Sequence, residues 1–179
     1  MFGLRGFEDL GDGLHAVFKL KQGFLLNNGA QAFAGGGFGW QAWLGLASDV
    51  YGTLTFGRQF DVTNDMVDPL MAEFNTWGGG LAAHPFQNDN LAANSVVINN
   101  TVKYASPTIS GVTFETMYSF SNQTAFANNR SYGFGMSYAM GPVNLAAGYL
   151  QLNSAGNSSG AVTSGDASAN CLAQRQHIW

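Results

Sequence analysis

Short runs in which apolar and polar residues alternate recur along this chain, and they predict a series of β-strands, because successive side chains of a strand point to opposite faces. In the stretch Leu14 to Phe24, residues Leu14, Ala16, Phe18, Leu20 and Phe24 fall on one face and His15, Lys19 and Lys21 on the other. Val112, Phe114, Thr116, Tyr118 and Phe120 alternate with Thr113, Glu115, Met117 and Ser119, and Tyr132, Phe134, Met136, Tyr138 and Met140 with small or polar residues. Further strands are predicted at Phe2 to Asp9, Gly39 to Ala47, Thr53 to Phe60, Ile98 to Ala105 and from Val143 through Tyr149.

The connections alternate as well. Those at 10–13, 49–52, 107–111 and 141–142 are short and carry glycine or proline turn residues, whereas those at 25–38, 61–95, 121–130 and 153–171 are long. Strands of about ten residues with short turns at one end and longer loops at the other are the pattern of outer-membrane β-barrels. A secreted or surface β-sandwich that binds a ligand in its loops also alternates apolar and polar residues, so periodicity leaves both architectures open.

Asp61 to Ser95 stands apart, with no period-2 pattern and with Asp61, Asp65, Asp68, Glu73 and Asp89 in it. Loops longer than about 12–15 residues are uncommon in compact domains and tend to be functional or disordered. Val67, Leu70, Met71, Phe74, Trp77, Leu81, Phe86 and Leu91 give this one apolar surface to bury. The expectation is a loop folded into a barrel, its acids facing bases on the wall.

Composition sharpens the picture. Charged residues make up 10% of the chain, against about 25% in ordinary soluble proteins, which suggests that something other than water solvates much of the surface. The net charge of −4 gives no basic field for nucleic acid. No apolar run approaches the roughly 18 residues of a membrane-spanning helix, so strands must do any crossing. Met1 leads into Phe2-Gly3-Leu4-Arg5 without a signal-peptide pattern, and the start reads as a cut within a strand. One cysteine, Cys171, allows no disulfide framework. His15, His84 and His177 lack metal-ligand spacing, Gly133-Phe134-Gly135 lacks the context of a dinucleotide fingerprint, and no nucleophile elbow or P-loop occurs. Neither an enzyme nor a cofactor is implied.

Arg5, Lys19, Lys21, Arg58 and Lys103 all lie within predicted strands. A base facing lipid near the bilayer midplane costs about 2–4 kcal/mol but little in a wet lumen, which places Lys19, Lys21 and Lys103 on the lumenal parity. Tyr104, Tyr118, Phe120, Tyr132, Tyr138 and Tyr149 share the apolar faces, several near strand ends, where interfacial girdles are built. Arg58 shares parity with Leu54 and Phe56, so either those two face the lumen or the phase shifts near Gly57, where a bulge is tolerated.

These residues resemble the trimeric general porins of Gram-negative outer membranes. Phe2-Gly3-Leu4-Arg5-Gly6-Phe7-Glu8-Asp9-Leu10-Gly11-Asp12-Gly13-Leu14 is similar to that family's second strand and turn. Leu44-Gly45-Leu46 with Gly52-Thr53-Leu54-Thr55-Phe56-Gly57-Arg58-Gln59-Phe60-Asp61 resembles its fourth and fifth strands. Lys103-Tyr104-Ala105-Ser106-Pro107 and Ser110-Gly111-Val112-Thr113-Phe114 resemble the sixth, its turn and the seventh. The resemblance implies an all-β, antiparallel transmembrane β-barrel of 16 strands, of which this chain would supply eight or nine as a single incomplete domain over residues 1–179. It also implies an inward-folded third loop, here Asp61 to Ser95, that narrows the pore.

The expected function is passive diffusion of ions and small hydrophilic solutes across the bacterial outer membrane. The expected partners are outer-membrane lipid and, at full length, two further copies in a homotrimer. By the same resemblance, Asp61, Asp65, Asp68 and Glu73 form the acidic side of the constriction, and Arg5, Lys19, Lys21, Arg58 and Lys103 its basic wall. Trp40 stands where many members carry a base, and the loop's Pro-Glu-Phe-Gly-Gly element is altered, with Ala72 before Glu73 and the glycines at Gly78, Gly79 and Gly80. A partial barrel leaves sheet edges unpaired, so the isolated chain is not expected to form a stable pore.

Overall fold

A computed structural model describes residues 1–32, 37–70, 97–122, 124, 130–153 and 175–178. Nine strands run in chain order: β1 (Phe2–Gly11), β2 (Leu14–Gln22), β3 (Gln41–Ser48), β4 (Gly52–Phe60), β5 (Val97–Ala105), β6 (Val112–Ser119), β7 (Ser131–Met140), β8 (Val143–Asn153) and β9 (Arg175–Ile178). Each pairs antiparallel with the next, giving one sheet in sequence order. A sandwich needs a second sheet, and the described residues form none. The sheet is a continuous meander, as the alternation of short and long connections requires.

Local chemistry sets the tight end. Gly11 pairs with Leu14, which leaves Asp12 and Gly13 as a two-residue loop with φ of 53° and 71°. Positive φ at both central residues matches the right-handed twist of the flanking strands, and Asp-Gly adopts it at little cost.

The two faces of the sheet differ in the sense opposite to that of a water-soluble protein. Residues buried on the concave side include Gln41, Thr55, Gln59, Thr101, Glu115, Ser119 and Ser131. On the convex side Leu44, Leu46, Leu54, Phe56, Phe114, Phe134, Met136 and Leu145 are exposed, Leu44 to 64%. An apolar face that draws on β3, β4, β6, β7 and β8 far exceeds the few hundred Å² that a monomeric soluble protein leaves bare. Tyr104 packs against Phe114 at 5.7 Å and Phe134 stacks on Tyr149 at 5.1 Å on this same face. The apolar face therefore fits hydrocarbon, and the strands that carry it, from 8 to 11 residues long, approach the 9–11 that a tilted crossing requires.

The phase question around Gly57 resolves into a bulge. Gly57 pairs with Thr101 but Gln59 pairs with Ile98, so two residues of β5, Asn99 and Asn100, oppose Arg58 alone. Gly57 at φ 130° and Asn100 at φ 53° absorb the distortion. A side chain at Gly57 would meet the carbonyl oxygen of Ala42 at 2.3 Å, so this position needs glycine on steric grounds too. Leu54 and Phe56 stay on the apolar face, both exposed.

Candidate functional site

The site is the concave face where β4, β5 and β6 meet the root of the loop that follows β4. Asp61 ends the strand and starts a helix, α1 (Val62–Met66). With extended φ and ψ of −74° and 167°, Asp61 sits at the N-cap, and its carboxylate accepts from the backbone amides of Thr63 at 2.7 Å and Asn64 at 3.1 Å. The Thr63 hydroxyl donates to the same oxygen. Pro69 then disfavours helical geometry at Asp68, and the chain leaves α1 through a 3-10 turn, Asp68–Leu70.

A helix of five residues has almost no stability of its own, so packing must hold it. It lies on the concave face of β7 and β8, where Gly133, Gly135 and Gly148 leave room. A Cβ at Gly133 would come within 2.9 Å of Val62 Cγ2, one at Gly135 within 2.9 Å of Met66 Cγ, and one at Gly148 within 3.0 Å of Thr63 Cγ2. Val62, Thr63 and Met66 are buried against this surface. Glycine at inward positions thus forms a seat that admits the helix.

On the other side of α1, Asp65 forms an ion pair with Lys103 of β5. Lys103 also donates to the Phe60 carbonyl at 3.3 Å and stands 3.7 Å from Glu115 of β6. Beneath them a polar ladder links the strands: Thr55 donates to Gln59 at 2.6 Å, Gln59 to the Thr101 carbonyl at 3.2 Å, and Thr101 shares a hydrogen bond with Ser119 at 2.7 Å. A recess of about 370 Å³ opens above this group, lined by Lys19, Gln41, Thr55, Asp65, Lys103 and Glu115 among others.

The five bases separate by position. Arg5 pairs with Lys19 across β1 and β2, and Lys21 lies two residues further along the same face, opposite Gln41. No carboxylate within ion-pair distance meets these three among the described residues. Lys103 points to the same concave side but is engaged by Asp65 and Glu115. Arg58, opposite Ala42 and hence on the other parity, runs along the end of the sheet, donating to the Gly39 carbonyl at 2.7 Å and to Asn99 Oδ1 at 2.7 Å. Trp40, beside Gly39, meets Phe60 edge-on at 5.5 Å.

The loop acids separate too. Asp61 faces the amides of its own helix, and Asp65 faces Lys103. The side chain of Asp68, together with Glu73, Asp89 and the rest of 71–96, lies outside the described residues. Burial pushes the Asp61 carboxyl up to about 6, the bonds from Thr63 and Asn64 offsetting only part of the lost hydration. Its second oxygen, Oδ2, has no hydrogen-bond partner among the described residues.

Two features were not picked out by the sequence pattern. Glu115 reads only as one polar member of an alternating strand, although its place on the parity of Met117 and Ser119 already puts it on the lumenal side. The glycine seat reads as low complexity; the spacing of Gly133 and Gly135 by two, which puts both on one face, is the signal that could have found it.

Comparison with known proteins follows the same lines. Residues 1–174 match the family model described as Gram-negative porin. The chain is similar to an outer membrane porin of Bordetella pertussis, with 40% identity over 171 residues, 87% of this chain and 43% of that protein. It is also similar to the major outer membrane protein P.IB of Neisseria meningitidis, with 28% identity over 78% of this chain and 38% of that protein. The chain therefore spans less than half the length of these curated relatives. Among solved structures, the anion-selective porin from Comamonas acidovorans superimposes with a TM-score of 0.66 and 27% identity, covering 84% of this chain and 46% of that one. The Salmonella typhi OmpF complex with daunomycin shares the fold, with a TM-score of 0.59 at 18% identity.

Proposed function

We propose that this chain, which belongs to the Gram-negative porin family, supplies part of the wall of a passive diffusion channel in the bacterial outer membrane. The observation that carries this reading is the pairing of opposite faces on one sheet. The convex side presents leucine, phenylalanine and methionine to hydrocarbon, while the concave side carries buried hydroxyls and amides together with Arg5, Lys19 and Lys21, which meet no carboxylate at ion-pair distance among the described residues. Ions and small hydrophilic solutes would pass over the concave side, and outer-membrane lipid would cover the convex side. The names of the Bordetella and Neisseria relatives support this location.

The root of the loop turning inward onto β7 and β8 supports a constriction built by 61–95, with Asp68 and Glu73 as the acids that face the path. Opposed to them would be Arg5, Lys19 and Lys21, and fixed charges of opposite sign across a narrow aqueous path sort solutes by charge. Arg5, Lys19 and Lys21, which meet no carboxylate at ion-pair distance among the described residues, favour anions, the direction named for the Comamonas protein. A homotrimer of the full-length chain is the assembly the family resemblance supports.

The test is to record from the full-length protein in planar bilayers. Stepwise, ohmic conductance is expected, and its absence sinks the pore reading. Asp68→Asn combined with Glu73→Gln is expected to shift the permeability ratio further toward anions; an unchanged ratio removes the constriction role of those two acids.

A further inference from the structure

Lys103 occupies a junction that the pore reading does not use. Its ammonium reaches Asp65 on α1, the Phe60 carbonyl at the end of β4 and, at 3.7 Å, Glu115 on β6. With only 11% of its side chain exposed, it is both withdrawn from solvent and faced by two carboxylates. Its charge is spent locally, and little of it reaches a passing ion. The same holds for Asp65, whose oxygen is turned to the wall. Arg5, Lys19 and Lys21 have no such partner among the described residues.

The seat under α1 explains why a second contact is needed. A surface of glycines lets backbone and side chains approach closely, but it offers no knobs to fix the rotation or sliding of a short helix. Val62 and Met66 supply the contact with Gly133 and Gly135; Asp65, on the flank of the helix, meets a fixed cation on β5. Contacts on both flanks define one orientation.

We propose that Asp65 and Lys103 form a latch that seats the root of the loop on the wall, and that the pair takes no part in sorting ions. This deepens the pore reading and rests on it only for the second clause. Asp65 and Lys103 are accordingly positioning residues, and the ion-sorting bases are those of β1 and β2.

The experiment uses the full-length protein in a Cys171→Ser background with Met66→Cys as a reporter, since Met66 is buried against Gly135 and becomes reachable only when α1 lifts. Labelling by a small maleimide in detergent micelles is expected to be slow in the parent. It should be faster in Asp65→Asn and in Lys103→Gln, slower again in the double variant than the sum of the singles predicts, and parent-like in Asp65→Glu, which keeps the charge. In planar bilayers the charge-swapped pair Asp65→Lys with Lys103→Asp, which keeps opposite charges across the latch, is expected to leave the permeability ratio at the parent value, whereas Lys19→Gln shifts it toward cations. Unchanged labelling in the single variants overturns the latch, as does a ratio shift in the charge-swapped pair as large as that in Lys19→Gln. Should the parent show no conductance, the pore reading falls while the labelling arm still decides the latch. Should Asp65→Asn fail to fold, parent-like labelling in Lys103→Gln would by itself overturn the latch, since that variant removes the cation Asp65 meets.

Discussion

The concave face has two regions that solve different problems with the same strand geometry. Over β1 to β3 the inward positions carry Arg5, Lys19, Lys21, Gln41 and Trp43, and no helix lies on them among the described residues. Over β6 to β8 they carry Glu115, Met117, Gly133, Gly135 and Gly148, and α1 covers them. Long cationic side chains keep a surface wet and hold chain away from it; missing side chains let a helix come to backbone distance. What a strand places at every second position therefore decides whether its wall faces water or carries the loop.

The sharpest way to break this contrast is to give the seat a side chain. Gly135→Phe is expected to cost about 1–3 kcal/mol through overpacking against Val62 and Met66. In the full-length protein it should lower the thermal midpoint in micelles, and it should alter single-channel conductance by moving α1 off the wall. An equally large substitution at Lys19, on the uncovered region, is expected to leave the midpoint nearly unchanged; equal losses at both places would erase the distinction.

Next in size is the cap. Asp61→Ala removes the acceptor for the amides of Thr63 and Asn64 and is expected to destabilise by about 1 kcal/mol, with Asp61→Asn close to the parent. Calorimetry of the pair checks this.

A smaller effect, with a definite sign, comes from pH. Folded Asp61 holds its proton up to about 6, while an unfolded aspartate releases it near 3.8. Between those values the folded protein binds more protons, so its stability rises as pH falls from above 6 toward 4, and the buried carboxylate is a cost above 6. Asp61→Asn should flatten that part of the melting-temperature profile. A profile unchanged by the substitution would show that Asp61 is not the group responsible.

The smallest expected change is in stability when a wet base is removed. Lys21→Gln should change stability by less than about 0.5 kcal/mol, because the position is far from the seat and has no ion-pair partner among the described residues. Its effect belongs in the permeability ratio.

Much of this was legible in residue order. Leu14, Ala16, Phe18 and Leu20 opposite His15, Lys19 and Lys21 gave the two faces of β2, and Asp12-Gly13 gave its turn, because both signals are carried by neighbours in the chain. Residue order leaves the placement of Leu54, Phe56 and Arg58 open at Gly57, since a bulge depends on the partner strand; the extra residue lies in β5, at Asn99 and Asn100. The site was less legible than the fold. Lys103 reads as lumenal from parity alone, but its engagement by Asp65 and Glu115 does not.

The sequence by itself determined the strands, their tight turns and which side of each is apolar, since period-2 alternation and turn chemistry act over a few residues. Only the tertiary structure decided that β7 and β8 carry the loop's root while the bases of β1 and β2 meet no carboxylate at ion-pair distance among the described residues. It also decided that Asp61 and Asp65 turn to the helix and the wall. Those outcomes depend on contacts between residues far apart in the chain, such as Met66 with Gly135 and Asp65 with Lys103, and no local pattern encodes them.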